Sequence, residues 1–338
     1  MMCINSDDAE KPARACPFGF FCVSRAIPLS TRPWRVYYRV EKDRQEDNFM
    51  KRIDSPLKMA GVMLAAGLVL LSGMRAASAR ELVYDKKDYT VSAAGIQEIR
   101  IKARNMPLEV TAVQGDEILI NYYTSDEDPY EVSLDGGVLT LKYKNDDFFG
   151  ISSWFSGALN VIDNTNPKVQ VFVPQAYAGM FMLDTSNASV NMSDLTQSGD
   201  VHIETSNGRI EVKNVAAPLV EAHTSNGAVT LDEVSVSGAI DMKSSNGALT
   251  AGAVNARDKL RMETSNGRIV LDRVISADIE LRTSNGSVSG SVEGRRGDFT
   301  IASDTSNGDD NLGDGGNGQK RLTVHTSNGN IDISFLDE

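Results

Sequence analysis

Through the C-terminal two thirds of the chain, apolar and polar residues alternate with a period of two. Val201 and Ile203 alternate with His202 and Glu204, and Ile210 and Val212 with Glu211 and Lys213. The arrangement returns at Leu260 and Met262, then at Ile269 and Leu271. Such alternation puts apolar side chains on one face of a strand and polar ones in water. A third apolar site recurs at Val215, Val234, Val254, Val274 and Val292, before a short polar connector. No stretch here has the length or the rhythm of an amphipathic helix.

Each pair of alternating segments is joined by one tetrapeptide, TSNG, with TSNA as the first copy and SSNG as the fourth. Its asparagines are Asn187, Asn207, Asn226, Asn246, Asn266, Asn285, Asn307 and Asn328, spaced 19 to 22 residues apart. Self-similarity at such a period marks a solenoid. Asn-Gly also suits an antiparallel hairpin, so a chain of hairpins is the competing reading. Near-identity of the units favours an all-β, single-domain parallel β-solenoid with about 20 residues per coil, each copy stacking on the next. The eight asparagines then form a structural ladder along the turns, and each Thr or Ser satisfies nearby backbone groups. The turn glycine is expected to supply a left-handed residue; at the first copy Ala188 shifts that task to Asn187 or changes the turn. Phe335, inward in phase on the last strand, is placed to close the stack.

Residues 80–180 read as degenerate first coils or an N-terminal cap, continuous with the regular repeat of 181–338. Ile99 and Ile101 lead into a turn at Asn105, Leu108 and Val110 lead out, and Asp135-Gly136-Gly137 is hairpin-like. An insertion at 144–160 breaks strand phase and crowds Phe148, Phe149, Trp154 and Phe155 together. Such aromatics either cover the open end of the core or contact a partner. Near the C-terminus Asp309, Asp310 and Asp314 stand among glycines. They are weak calcium candidates, since calcium takes several oxygen ligands, and a solvated mobile loop is the competing reading.

The start of the chain differs in kind. Residues 1–49 lack periodic apolar pattern, hold Cys3, Cys16 and Cys22, and read as an over-extended start or a disordered segment. Residues 50–79 have the parts of a signal peptide: Lys51, Arg52 and Lys58, an apolar run from Met59 to Gly73, and Ala77-Ser78-Ala79 as a cleavage site. Met74 stands where a lipid-anchored protein needs cysteine. The expected location is therefore outside the cytoplasm, in the periplasm, at the cell surface or beyond, with no integral span in the mature chain. Residues 80–338 contain no cysteine, which leaves packing and hydrogen bonds to hold the fold. They carry 38 acidic and 22 basic side chains, which argues against nucleic acid as a partner.

No phosphate-binding glycine loop, HExxH or Gly-x-Ser-x-Gly occurs, and no cofactor or catalytic residue is assigned. His202, His223 and His325 take outward positions in different units as ordinary exposed strand histidines. Glu204, Lys243, Glu263, Arg282 and Asp304 share one position before the motif and form a mixed-charge outer stripe, first of all a solubility device. A polysaccharide-acting β-helix enzyme would need such a stripe inside a cleft, which these uniform units do not supply.

The leader followed by TSNG-(Ile/Val)-x-(Leu/Val) units resembles the provisionally named adhesin family of bacterial envelope proteins, a β-solenoid domain of unknown function, over about residues 95–335. The resemblance implies an exported or membrane-associated protein with a role in surface adhesion or envelope-stress sensing, and it brings no catalytic set. The expected function is a non-catalytic exported protein presenting a solenoid face to an envelope or surface protein or to a glycan. The alternatives are an envelope-stress or structural accessory protein and the polysaccharide-acting enzyme.

Overall fold

The structure is a computed structural model that describes residues 37–38, 51–52, 84–126, 128–144 and 167–337. The chain forms two compact units, Met1–Ser78 and Ala79–Glu338. In the first, Tyr37–Tyr38 pairs antiparallel with Lys51–Arg52. The second is a largely parallel β-solenoid whose 21 described strands join in one continuous sheet. Its described residues include a 3-10 turn at Arg296–Asp298 and no α-helix.

The coil around Asn226 shows how the sequence makes the fold. Strand Val220–Thr224 leads into the turn and Val229–Val236 leads out. Val220 pairs in parallel with Val201 of one neighbouring coil and Ile240 of the other, and Val229 likewise with Ile210 and Leu249. Val220, Ala222, Val229 and Leu231 are fully buried in one core, while Glu221, His223, Thr230 and Asp232 are not. Stacking in register repeats this division coil after coil, so the core is a continuous column.

The recurring valine marks a third, shorter run of pairing that follows a bend. Residues 215–217 pair with 234–236, and Ser235 and Val236 with Asn255 and Ala256. At the bend Asp194, Asn214, Glu233, Ala253 and Arg273 all take positive φ, between 48° and 64°. This left-handed residue redirects the chain so that Leu195, Val215, Val234, Val254 and Val274 enter the core. Asp and Asn tolerate it, whereas Glu, Ala and Arg do so at a cost.

Order along the stack departs from order along the chain at both ends. Strand Glu98–Ala103 lies between Val138–Tyr143 and Met180–Thr185, so the first coil in sequence is the second in space. At the far end Lys320–Thr326 lies between residues 278–282 and Phe299–Thr305. The expectation that every copy stacks on the next therefore fails for the last two, and the reason is the segment after Asn307. Gly315 and Ile301 exchange N–H···O bonds of 2.7 and 3.1 Å, which lays the glycine-rich loop antiparallel along the outer edge of Phe299–Thr305. With that edge taken, the next strand inserts on the inner side. Only glycine permits this approach at 316, where a Cβ would stand 2.2 Å from the Phe299 carbonyl oxygen.

Both ends protect their edges. Asn311 uses its side-chain amide as a strand uses a peptide: Oδ1 accepts the Ile333 N–H at 3.0 Å and Nδ2 donates to the Ile333 carbonyl at 3.1 Å. Phe335 packs against Phe299 with ring centroids 5.4 Å apart, and Leu312 of the end loop is buried. At the other end the strands turn antiparallel. Tyr130–Asp135 and Val138–Tyr143 form a hairpin through Gly136 and Gly137, both at positive φ. Asp85–Ser92 pairs with Glu117–Thr124 and exposes Asp85, Lys86, Lys87 and Asp88.

Candidate functional site

The stacked TSNG turns form one edge of the solenoid, and each residue of the motif has a separate task. The Thr224 hydroxyl accepts the Gly227 N–H of its own turn and donates to the Gly208 carbonyl of the neighbouring coil, both at 3.1 Å. Ser244 does the same with Gly247 and Gly227, at 2.9 and 3.0 Å. The N–H groups of Ser225 and Asn226 both reach the Ser206 carbonyl, at 3.1 and 3.0 Å. Buried turn groups thus find partners without water.

The asparagines are exposed and hydrogen-bonded in a continuous ladder, each Nδ2 donating to the Oδ1 of the asparagine before it. It starts at Asn105, which accepts from Asn187 at 2.7 Å, and runs through Asn207, Asn226, Asn246, Asn266 and Asn285. It then passes to Asn328 at 2.8 Å and ends at Asn307, which donates to Asn328 at 2.9 Å. All the amides point the same way, so each bond polarises the next.

The turn glycines correct the expectation of a left-handed residue. Neither the motif asparagines nor their glycines take positive φ. The requirement is close approach: a Cβ on Gly227, Gly247 or Gly267 would stand 1.7, 1.7 or 1.8 Å from the carbonyl oxygen of the preceding turn glycine. Ala188 stands over a coil that carries Met106 at that place, and there the Thr185 hydroxyl bonds the Arg104 carbonyl at 3.1 Å in place of a turn-glycine carbonyl.

Two outward rows of charge run along the sheet that precedes the turns. One row carries His202, Glu221, Asp241, Arg261 and Glu280; the other carries Glu204, His223, Lys243, Glu263, Arg282, His325 and Asp304. The histidines are not simply exposed, and His202 and His223 stand in different rows. His202 Nδ1 meets Glu221 at 2.8 Å, His223 Nε2 lies 3.6 Å from Asp241, and His325 Nδ1 meets Asp304 at 3.1 Å. Burial pushes the Asp241 carboxyl up, but His223 and the Lys243 ammonium outweigh it and hold the group down at about 2. Lys259, bonded to Glu280, holds that carboxyl below its usual range, with Arg282 assisting. Paired charges in this pattern fix register and solubility, at roughly 0–1 kcal/mol per exposed pair.

The other sequence-derived residues lie apart from this edge or beyond the described region. Asp310 Oδ1 accepts the Leu312 and Gly313 N–H groups at 2.8 and 3.3 Å, and Asp314 Oδ1 accepts Ser303 N–H at 2.8 Å. Asp309 instead takes part through its backbone, donating its N–H to Asn330 Oδ1. These carboxylates fold the end-covering loop, and no group of three His, Cys, Asp or Glu among the described residues is arranged to hold a metal. Phe148, Phe149, Trp154 and Phe155 lie outside the described residues, as does the apolar run of the leader. Among the described residues no helix is long and apolar enough to cross a membrane. Sequence reading missed a cleft of about 580 Å³ where the antiparallel strands meet the first coils, lined in part by Ser92, Gln97, Asp116 and Tyr177. Its small residues, such as Ala176, Ala178 and Gly179, give no periodic signal.

Parallel coils, a buried Thr and Gly stack and an external amide ladder define a repeat β-solenoid whose recurring chemistry is coil-to-coil bonding. The chain belongs to the Toastrack DUF4097 family, which matches residues 96–334. Solved structures similar to it include a provisionally named adhesin of Bacteroides fragilis NCTC 9343, 13% identical, covering 75% of this chain and 97% of that one, with a TM-score of 0.40. Another, from Parabacteroides distasonis ATCC 8503, is 12% identical and covers 74% and 97%, with a TM-score of 0.38. A provisionally named cell adhesion protein of Clostridium sporogenes ATCC 15579 is 10% identical and covers 75% and 100%, with a TM-score of 0.28. No curated protein matches the chain.

Proposed function

We propose that residues 80–338 are an exported, non-catalytic, adhesin-like scaffold that presents its solenoid surface to an envelope or surface protein or to a glycan. One observation carries this reading: the first-position hydroxyls and the asparagine amides of the repeated motif are engaged in bonds within the turn and from coil to coil. What repeats is therefore the support, and recognition falls to what departs from the repeat. The aromatic insertion at Phe148, Phe149, Trp154 and Phe155 is the contact we favour, because large rings anchor interfaces efficiently.

The test is capture from envelope extract by purified residues 80–338, beside the same protein with those four aromatics changed to Ser. Retention of a protein or a glycan by the unchanged form alone supports the reading and names the partner class. A dedicated bacterial envelope protein as the captured species favours the accessory role. Equal retention by two folded forms removes the insertion from the binding site, and retention of nothing by either overturns the proposal. N-terminal sequencing of the exported protein tests the leader, with Arg80 as the expected first residue.

A further inference from the structure

The chain contains eight Asn-Gly pairs, at Asn207, Asn226, Asn246, Asn266, Asn285, Asn307, Asn317 and Asn328. This dipeptide deamidates spontaneously because a glycine imposes no side chain on the ring closure. The glycine nitrogen gives up its proton and attacks the Asn Cγ. An N–Cγ bond forms, the Cγ–Nδ2 bond breaks, and ammonia leaves with a proton. Water then opens the succinimide to aspartate or isoaspartate.

Six of the pairs are restrained at both reacting groups. The N–H of Gly208, Gly227, Gly247, Gly267, Gly286 and Gly329 is bonded to the hydroxyl of its own Thr or Ser, at 2.9–3.2 Å. Each partner asparagine donates to one ladder neighbour and accepts from another. Asn307 differs on both counts. It ends the ladder, so its Oδ1 accepts from none of the described residues. Thr305 donates to the Gly329 carbonyl at 2.9 Å but takes no N–H from Gly308. Asn307 and Gly308 are both exposed, whereas Gly329 is buried.

We propose that Asn307 is a built-in deamidation site of the folded protein, and that the ladder shields the asparagines of the six other motif Asn-Gly pairs. Asn328 makes the comparison sharp. It stands in the same TSNG tetrapeptide and is the last copy in sequence, yet the insertion of its coil places it inside the ladder. Conversion of Asn307 replaces the donor to Asn328 with an acceptor-only carboxylate, which opens the next rung.

The experiment is site-resolved peptide mass spectrometry of the purified protein held folded at mildly alkaline pH, with a urea-unfolded sample in parallel. In the unfolded chain Asn307 and Asn328 convert at similar rates. In the folded protein Asn307 converts about tenfold or more faster than Asn226, Asn246, Asn266 and Asn328, the factor that release from one net hydrogen bond supplies. Asn317, which lies off the ladder in the end loop, serves as the reactive reference. The variant N307D raises the rate at Asn328. Equal folded-state rates at Asn307 and Asn328, or a slow Asn307 beside a reactive Asn317, overturn the proposal.

Discussion

A glycine with an ordinary φ is easily mistaken for one that a turn requires. In this chain the methyl group that Gly247 lacks would fall 1.7 Å from a backbone oxygen, and backbone cannot swing aside as a side chain can. G247A is therefore expected to lower stability by about 2–4 kcal/mol, as overpacking without relief does, in urea unfolding. T224V leaves the Gly227 N–H and the Gly208 carbonyl without their partner and is expected to cost about 1–3 kcal/mol, whereas T224S stays near neutral because Ser244 fills the same role. The motif and its spacing were legible in the sequence. The reason for its glycine was not, because a recurring Asn-Gly looks alike whether it serves torsion or closeness, and only coordinates separate the two.

Period-two alternation announced the strands, and the recurring valine announced a third contact with the core. The left-handed residue just before that valine left no trace, because Asp194, Asn214, Glu233, Ala253 and Arg273 share no side-chain property. At such a position glycine relieves more strain than it adds in chain entropy, so A253G is expected to raise stability by up to roughly 1 kcal/mol in the same unfolding assay. The histidines were legible as outward, but their carboxylate partners depend on cross-coil register. Asp241 carries the pH consequence. Its carboxyl is held below the ordinary 3.8, so it contributes stability above that value and loses the contribution as pH falls toward about 2. D241N is expected to flatten the stability profile in that window, read from denaturant midpoints across pH, and an unchanged profile would remove Asp241 from the account.

The column as a whole could be read from the repeat, but not the order of its ends. The only mark was spacing, which widens to 22 and 21 residues for the last two intervals. Because Lys320–Thr326 bridges residues 278–282 and Phe299–Thr305, deleting residues 319–338 takes a coil from the interior of the stack. Hydrogen exchange on that truncation is expected to show 299–318 unprotected while 201–264 stays protected; retained protection at 299–318 would mean that the order can be rewritten. The same crossing has a meaning in time. Any chain delivered from its N-terminus presents Phe299–Thr305 before the strand that must separate it from the preceding coil, so that place stays vacant until Lys320–Thr326 arrives. The stack closes only behind that strand, and a copy cut short before it carries an unsealed edge by which it can be distinguished from one that holds it.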